Sequence, residues 1–187
     1  MSTEITQTGK ESAEYAEILA DLVVEILNKS AEDALSDGNI PQDLTRSLVE
    51  CLQYVFLHGD SSLKQISYGL GISIPAASQL VDRLVKKSLV ERREAELDRR
   101  SMLVQITKSG VATIKNIREK RTQWFHGVLE KMSESDRESL TNGLEGFIEG
   151  ATEDSDDLDR SCAKCGMKHV NFCILNKIRG SRKVENK

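Results

Sequence analysis

The sequence predicts a mainly α-helical protein that carries one small β-hairpin, and three observations lead to this prediction. Hydrophobic residues make up 39% and charged residues 30% of the 187 residues, a balance typical of a helical protein with a real core. Apolar residues recur at intervals of three and four in several long segments, which is the spacing of amphipathic helices. Two short runs, at 89–93 and 102–106, flank a polar stretch, which is the pattern of two strands joined by a loop.

Six helices are expected from the apolar spacing and from residues that begin or end a helix. The first has a continuous apolar stripe from Tyr15 to Leu27. Ser73 can cap the fourth, whose first turn holds Pro75, where a missing N–H costs nothing. Thr107 and Ser133 can cap the last two. In chain order the helices are placed at about 11–29, at 42–57, directly after Ser61 or Ser62, and at 74–88, 108–132 and 134–150.

The order helix, short helix, tight turn at Gly71, helix and hairpin is that of a winged helix-turn-helix. The major groove of B-DNA is about 12 Å wide and admits one helix, which the short preceding helix braces. The polar hairpin loop, about 94–100, can reach an adjacent minor groove. The expected function is therefore DNA binding.

The formal net charge of -4 is unevenly distributed along the chain, which reconciles it with a nucleic-acid partner. Residues 76–121 carry 12 basic and 6 acidic side chains, and residues 160–187 carry 8 basic and 1 acidic. Because salt screens charges within about 10 Å, a local basic face matters more to phosphate attraction than the charge of the whole chain. Solvated faces without a partner are the alternative explanation of both clusters.

The segment GISIPAASQLVDRLVKKSLVERREAELDRRSMLVQITKSG, at residues 71–110, resembles the core of the MarR family of regulators. The run LVDRLVKKSLVERR is similar to the family's recognition helix and first wing strand. The resemblance covers residues 11–150 and is most specific from 63 to 110. The family's wing pattern, D-x-R and then V-x-[LI]-T-x-x-G, is met by Asp98, Arg100, Val104, Ile106, Thr107 and Gly110.

The resemblance implies a homodimer that binds double-stranded DNA at a pseudo-palindromic operator, more often as a repressor than as an activator. Its terminal helices would interleave with those of a second copy. The apolar stripes on 11–29, 108–132 and 134–150 agree, because they exceed what one small domain can bury, although part of each is ordinary core. In the family, a small-molecule effector or thiol oxidation changes the spacing of the two recognition helices and weakens DNA binding.

Several residues of the recognition helix lie on or near its side away from the core. Ser78 and Gln79 are candidates for base edges, because Gln can pair bidentately with adenine. The family often has a basic residue where Gln79 stands, so the usual phosphate contact is in doubt there. Arg83 and Lys86 are candidates for phosphate contacts, and an ion pair with a neighbouring helix is the alternative for Arg83. The assigned DNA-binding residues of this helix are Pro75, Ala76, Ser78, Gln79, Arg83 and Lys86, with Asp82 on the same side.

The hairpin loop contributes three further DNA-binding candidates, Asp98, Arg99 and Arg100. A narrow A·T-rich minor groove has an enhanced negative potential that attracts arginine, so Arg99 and Arg100 are candidates for it. Asp98 would orient Arg100 through a carboxylate–guanidinium contact. A purely structural pair that stiffens the loop is the alternative.

The C-terminal tail contains a cluster with the spacing C-x2-C-x3-H-x3-C, formed by Cys162, Cys165, His169 and Cys173. Three thiolates and one imidazole suit a tetrahedral zinc site. A straight helix would separate Cys165 from Cys173 by about 12 Å, so the segment must bend if all four bind one ion. An iron–sulfur cluster, a redox pair of Cys162 and Cys165, and inert thiols remain open. Cys51 lies on an apolar stripe and is expected in the core.

The chain is expected to divide into a flexible segment at 1–10, a winged-helix domain with dimerisation helices at 11–150, an acidic linker at 151–159 and a basic tail at 160–187. The polar N-terminus and the absence of an apolar run of about 18 residues favour the cytoplasm and no membrane partner. The resemblance to the MarR family implies that the cell is prokaryote-like. The sequence lacks the usual nucleotide-binding, zinc-protease and serine-hydrolase motifs, so no enzyme is expected. A C-x-x-C thiol oxidoreductase and a dimeric module without DNA binding remain the alternatives.

Overall fold

A computed structural model describes residues 7–36, 38, 40–41, 43–94, 102–152, 158, 161 and 173–185. The predicted mainly α-helical fold with a small β-sheet is confirmed. The helices are α1 Gln7–Leu35, α2 Arg46–His58, α3 Leu63–Leu70, α4 Ile74–Lys86, α5 Lys108–Leu129, α6 Glu134–Ala151 and α7 Ile174–Glu185. The strands are β1 Ser61–Ser62, β2 Val90–Glu94 and β3 Met102–Ile106.

The sheet has a third strand that the sequence pattern did not reveal. The strand order is β1-β3-β2 with antiparallel pairing, so the predicted hairpin is present and β1 extends it on the free edge of β3. Ser61 pairs with Val104 and Ser62 with Leu103. Two residues are too few for an alternating pattern, which is why periodicity missed β1.

Several helices differ from their predicted bounds, and one was not predicted. α2 begins at Arg46 and not at about 42, and α5 ends at Leu129 and not at about 132. α1 begins at Gln7 and ends at Leu35, whereas the apolar stripe had placed it at 11–29. Its first residues are polar and therefore carry no stripe, although they continue the same helix. α7 was not predicted, because its twelve residues contain few apolar positions among many polar and basic ones.

The main core lies between α2, α3, α4, α5 and the sheet. Leu48, Leu52 and Val55 of α2 are fully buried against Ile66 of α3 and Ile114 of α5. Burying one such side chain contributes about 1.5–3 kcal/mol, so this cluster fixes how the helices of the winged helix sit relative to one another.

Capping residues set the two helices of the helix-turn-helix. The Ser62 hydroxyl accepts a hydrogen bond from Gln65 N at 3.3 Å, and Gln65 Oε1 accepts one from Ser62 N at 2.8 Å, so a capping box begins α3. Gly71 ends α3 in the left-handed conformation, with φ 68°. Ser73 caps α4 by accepting from Ala76 N at 3.3 Å, as the sequence predicts.

The terminal helices are far less buried than the winged helix. Seven large apolar side chains of α1 are 45–64% exposed, namely Tyr15, Ile18, Leu19, Leu22, Val23, Val24 and Ile26. No residue of α6 is buried, and Leu140, Leu144 and Phe147 are 40–68% exposed. A single chain therefore leaves two apolar stripes uncovered. Within the described residues, no helix is both long and apolar enough to cross a bilayer.

A second, small core joins the tail to α6. Leu158, Leu175 and Ile178 are buried there, and Ile148 of α6 and Cys173 pack against them. Lys177 Nζ lies 3.3 Å from Glu145 Oε1, so an ion pair also links α7 with α6. The part of the tail that begins at Cys173 is thereby attached to α6.

Candidate nucleic-acid interface

Helix α4 presents a polar side away from the core. Ala77, Val81 and Leu84 are fully buried against the rest of the winged helix. The opposite side carries Pro75, Gln79, Asp82, Arg83 and Lys86, which are exposed, while Ala76 and Ser78 at its margins are half-buried. The geometry thus brings the six helix residues assigned to DNA binding onto or beside one accessible side. A helix with an exposed polar side and a buried apolar side is what major-groove insertion requires.

One margin of this side faces α2. Gln79 and Arg83 line a shallow groove of about 270 Å³ together with Ser47 and Glu50 of α2. Glu50 Oε1 lies 3.1 Å from Arg46 Nε and is thus already paired. Within the described residues no ion pair involves Arg83, so the alternative explanation of this residue as half of a helix–helix salt bridge finds no support there.

The other margin faces the wing, through a residue that the sequence analysis did not single out. Arg92 of β2 places its Nη2 atom 2.7 Å from Asp82 Oδ1 and 3.4 Å from Ser78 Oγ. Ser78 was assigned to a base edge, but in the free protein its hydroxyl already accepts from Arg92. The available sequence signal was an arginine in the first wing strand, ten residues after an acid on the recognition helix.

The stem of the wing is braced across its two strands. Arg92 pairs with Val104 and Arg93 with Leu103 in the register of β2 and β3. Arg93 Nη1 donates to Gln105 Oε1 at 2.7 Å. The predicted wing contacts Asp98, Arg99 and Arg100 lie outside the described residues.

The last two positions of the wing pattern, Thr107 and Gly110, have a structural role. Thr107 Oγ1 donates to Ser88 O at 2.7 Å and accepts from Gly110 N at 3.0 Å, so it caps α5 and ties it to the turn after α4. A Cβ atom on Gly110 would lie 2.1 Å from Leu89 O, which is backbone and cannot move aside cheaply. These two residues hold the wing stem against the end of the recognition helix.

The cysteines fall into two groups. Cys51 is fully buried in the main core, as predicted, and burial raises the pKa of its thiol to about 12. Cys173 is half-buried just before α7, and its carbonyl accepts from the N–H groups of Asn176 and Lys177 at 3.0 Å each. The other three proposed metal ligands, Cys162, Cys165 and His169, lie outside the described residues.

Comparison with known proteins finds relatives for the winged-helix region. Residues 44–102 match the MarR family. An uncharacterised HTH-type transcriptional regulator of Bacillus subtilis (strain 168), YfiV, is 28% identical over 102 residues, which are 54% of this chain and 64% of that protein. The matched region therefore spans less than two thirds of this relative's length.

Solved structures give the fold over a longer stretch. A MarR family protein from Bacillus stearothermophilus superposes with a TM-score of 0.67 at 20% identity, over 77% of this chain and 98% of its own. FabT of Streptococcus pneumoniae, solved in complex with DNA, superposes with a TM-score of 0.63 at 18% identity, over 73% of this chain and 94% of its own. These two structures share the winged-helix fold of this chain, and the match to the MarR family covers residues 44–102.

Proposed function

We propose that this protein is a DNA-binding transcriptional regulator of the cytoplasm and not an enzyme. We propose that it acts as a homodimer and as a repressor, which is the more frequent role among MarR regulators. The observation that carries the proposal is the exposed polar side of α4, capped at Ser73 and placed beside a wing, within the segment that matches the MarR family. FabT, a neighbour of the same fold, was solved in complex with DNA. We extend that property to this chain as part of the proposal.

In this proposal α4 enters the major groove. Gln79 meets a base edge, while Arg83 and Lys86 meet phosphates on either side. Asp98, Arg99 and Arg100 serve the adjacent minor groove, with the Asp98 carboxylate orienting Arg100. Pro75 and Ala76 lie in the first turn of α4, where small and rigid residues allow close approach of the backbone to DNA.

Binding to a duplex selected by the protein from a random-sequence pool, followed by fluorescence anisotropy, tests this arrangement. Arg83→Ala should weaken binding about equally for all DNA sequences. It should also make the negative slope of log K against log salt concentration less steep by about one unit. Gln79→Ala should cost about 1–3 kcal/mol and relax the preference at one base pair. Lys131→Ala, which removes an exposed cation from the turn between α5 and α6, is the matched control and should change neither quantity. Equal effects of Arg83→Ala and Lys131→Ala would contradict the proposal.

The homodimer is supported by the uncovered apolar stripes of α1 and α6. Packing these stripes against a second copy removes from water side chains such as Ile18, Leu22 and Phe147, which one chain leaves 49–68% exposed. The two recognition helices would then read half-sites one helical turn, about 34–36 Å, apart. Two stripes of exposed large apolar side chains are unusual for a monomer.

Sedimentation at micromolar concentration tests the dimer. Leu22→Glu places a charge in the α1 stripe and should yield monomers. Tyr68→Glu makes the same change at a side chain of α3 that is 56% exposed and should leave the dimer intact. A parent protein that sediments as a monomer would refute the proposal, and so would equal dissociation of both variants.

The regulator's signal is proposed to act at the tail or at a small-molecule site. Cys162, Cys165, His169 and Cys173 provide a ligand set that suits zinc, and an iron–sulfur cluster or a thiol switch uses the same cysteines. The residues fit in chemistry, and Cys173 is attached to α6 through the small core around Leu175 and Ile178. A change at the cluster would therefore reach a proposed dimerisation helix.

Metal content and absorption of freshly purified protein test the tail. Zinc leaves the protein colourless, whereas an iron–sulfur cluster absorbs visible light. A variant with serine at 162, 165 and 173 should lose the metal and the DNA response to chelator or oxidant. Unchanged metal content and an unchanged response would refute the role of the tail and leave DNA binding standing.

A further inference from the structure

We propose that Arg92 contacts a DNA phosphate beside the recognition helix, and that Asp82 is the positioning residue that holds the Arg92 guanidinium there. The inference deepens the proposed DNA-binding function and rests on it. It concerns a side chain of the wing stem, separate from the candidates in the hairpin loop.

The side chain of Arg92 crosses from β2 to α4. Its Nη2 atom contacts Asp82 Oδ1 at 2.7 Å and Ser78 Oγ at 3.4 Å. Because residues 78 and 82 are one helical turn apart, both contacts lie on the same margin of α4. The guanidinium is therefore fixed in the cleft between the recognition helix and the wing.

Arg92 retains hydrogen-bonding capacity in this position. A guanidinium carries five N–H donors in a rigid fork, and both contacts use the same nitrogen. Among the described residues, no further acceptor is bonded to Nε or Nη1 of Arg92. The side chain is 36% exposed, so these donors are accessible to an anion that enters the cleft. Arginine presents such donors to phosphate with fixed geometry, which a flexible ammonium group does not.

The charge arrangement points to the same partner. Asp82 is an acid on the side of α4 that faces DNA in the proposed complex, and its side chain is 52% exposed. An unpaired carboxylate there would repel the phosphate backbone, which carries one charge per about 1.7 Å of helix axis. An exposed ion pair contributes little to folding stability, so a contribution to the stability of the fold does not account for this pair. Pairing neutralises Asp82 and leaves the outer edge of the guanidinium for a phosphate.

The test measures salt dependence in two backgrounds, with one duplex selected by the parent protein. The slope of log K against log salt concentration is negative, and in the Asp82→Asn background Arg92→Gln should make it less steep by about 0.9, the value for one phosphate contact. The ratio of the Asp82→Asn affinity to that of the double variant should therefore be about eightfold greater at 0.1 M salt than at 1 M salt. In the parent background Arg92→Gln should weaken binding further, because the Asp82 carboxylate is then unpaired and repels DNA. Circular dichroism verifies that each variant is folded.

Arg93→Gln in the same Asp82→Asn background is the matched control. It removes the same charge one residue later, from a side chain bonded to Gln105 on the other side of the hairpin, and should leave the slope unchanged. The inference is overturned if Arg92→Gln leaves the slope unchanged in the Asp82→Asn background, because Arg92 would then only neutralise Asp82. An equal fall for Arg93→Gln overturns it as well, because any charge on the wing would then suffice. If the parent protein binds no duplex at all, the proposed function fails, and this inference fails with it.

Discussion

The winged helix and the terminal helices of this chain differ in how completely one protomer buries them. In the winged helix, Leu48, Leu52 and Ile66 are fully inaccessible to solvent, and Ser62, Ser73 and Thr107 cap the helices that follow them. In α6 no residue is buried, and α1 leaves a stripe of large apolar side chains in water. The comparison indicates that the winged helix holds its own shape, whereas α1 and α6 need further contacts.

This difference bears on how a signal can reach DNA. The position of α4 within its own chain is fixed by a dense core, so a signal has little freedom to move α4 against α2 and α3. In the proposed homodimer, the position of one winged helix relative to the other would depend on α1 and α6, and α7 contacts α6 at Ile148 and Glu145. We therefore expect regulation to change the spacing of two recognition helices and to leave each winged helix intact.

The largest expected effect comes from truncating one apolar side chain to alanine in each of the two regions. Leu52→Ala removes a fully buried side chain from the main core and should lower the free energy of unfolding by about 2–5 kcal/mol. Leu144→Ala removes a side chain of α6 that is 49% exposed in one protomer. In the proposed homodimer this side chain contacts the second copy, so its effect should depend on protein concentration. Urea unfolding at several protein concentrations measures both.

The dependence of each effect on protein concentration decides whether the two regions differ. Leu52→Ala should destabilise by a similar amount relative to the parent protein at each concentration. If Leu144→Ala is instead equally destabilising at all concentrations, its side chain is buried within the chain and the distinction between the two regions fails.

The second prediction compares two glycines. Gly110→Ala brings a Cβ atom within 2.1 Å of the Leu89 carbonyl oxygen and should destabilise by about 1–3 kcal/mol. Gly143→Ala on α6 places its Cβ where no atom lies within 4 Å, and should stabilise the helix by up to about 1 kcal/mol. Thermal unfolding of the two variants should therefore shift in opposite directions. A shift in the same direction would mean that α6 is as closely packed as the wing stem.

Much of the winged helix could be predicted from the sequence, because its elements carry local signals. Local interactions between residues a few positions apart determine the cap at Ser73, the turn at Gly71 and the capping of α5 by Thr107. Such interactions depend little on the rest of the chain, so the sequence is sufficient to predict them. The two-residue strand β1 could not be predicted, because it exists only through its pairing with Val104 and Leu103. α7 was missed for a similar reason, since its few apolar residues become a core only against α6.

The sequence predicted which side of α4 carries the candidate site, but it did not predict the contact between Arg92 and Asp82. Helical spacing placed Gln79, Arg83 and Lys86 on the exposed side of α4, where the structure has them. It could not place Arg92, because the strand register and the helix–wing angle decide which residue of β2 reaches Asp82. A pairwise contact across elements depends on tertiary geometry, which a periodic pattern does not contain.

The last comparison concerns Cys51 and separates a core thiol from Cys173 of the tail. Burial raises the pKa of Cys51 from its ordinary value of 9.0 to about 12. The folded protein keeps this proton above pH 9, whereas the unfolded chain loses it, so the contribution to stability is complete below pH 9 and decreases as the pH rises from 9 towards 12. The expected decrease is roughly 1.4 kcal/mol per pH unit in that range. Cys51→Ala should remove this part of the slope.

Urea unfolding between pH 8 and pH 10 measures the slope, and a thiol reagent gives an independent check. At pH 8 the folded protein, freed of metal, should react at Cys173, which is half-buried, and not at Cys51, which reacts only after unfolding. Because Tyr54 also has a pKa raised by burial, the measured quantity is the difference in slope between the parent protein and Cys51→Ala. Identical slopes would show that burial does not raise the pKa of Cys51. Rapid labelling of Cys51 in the folded protein would show that the core around α2 opens readily and would end the contrast between the two regions.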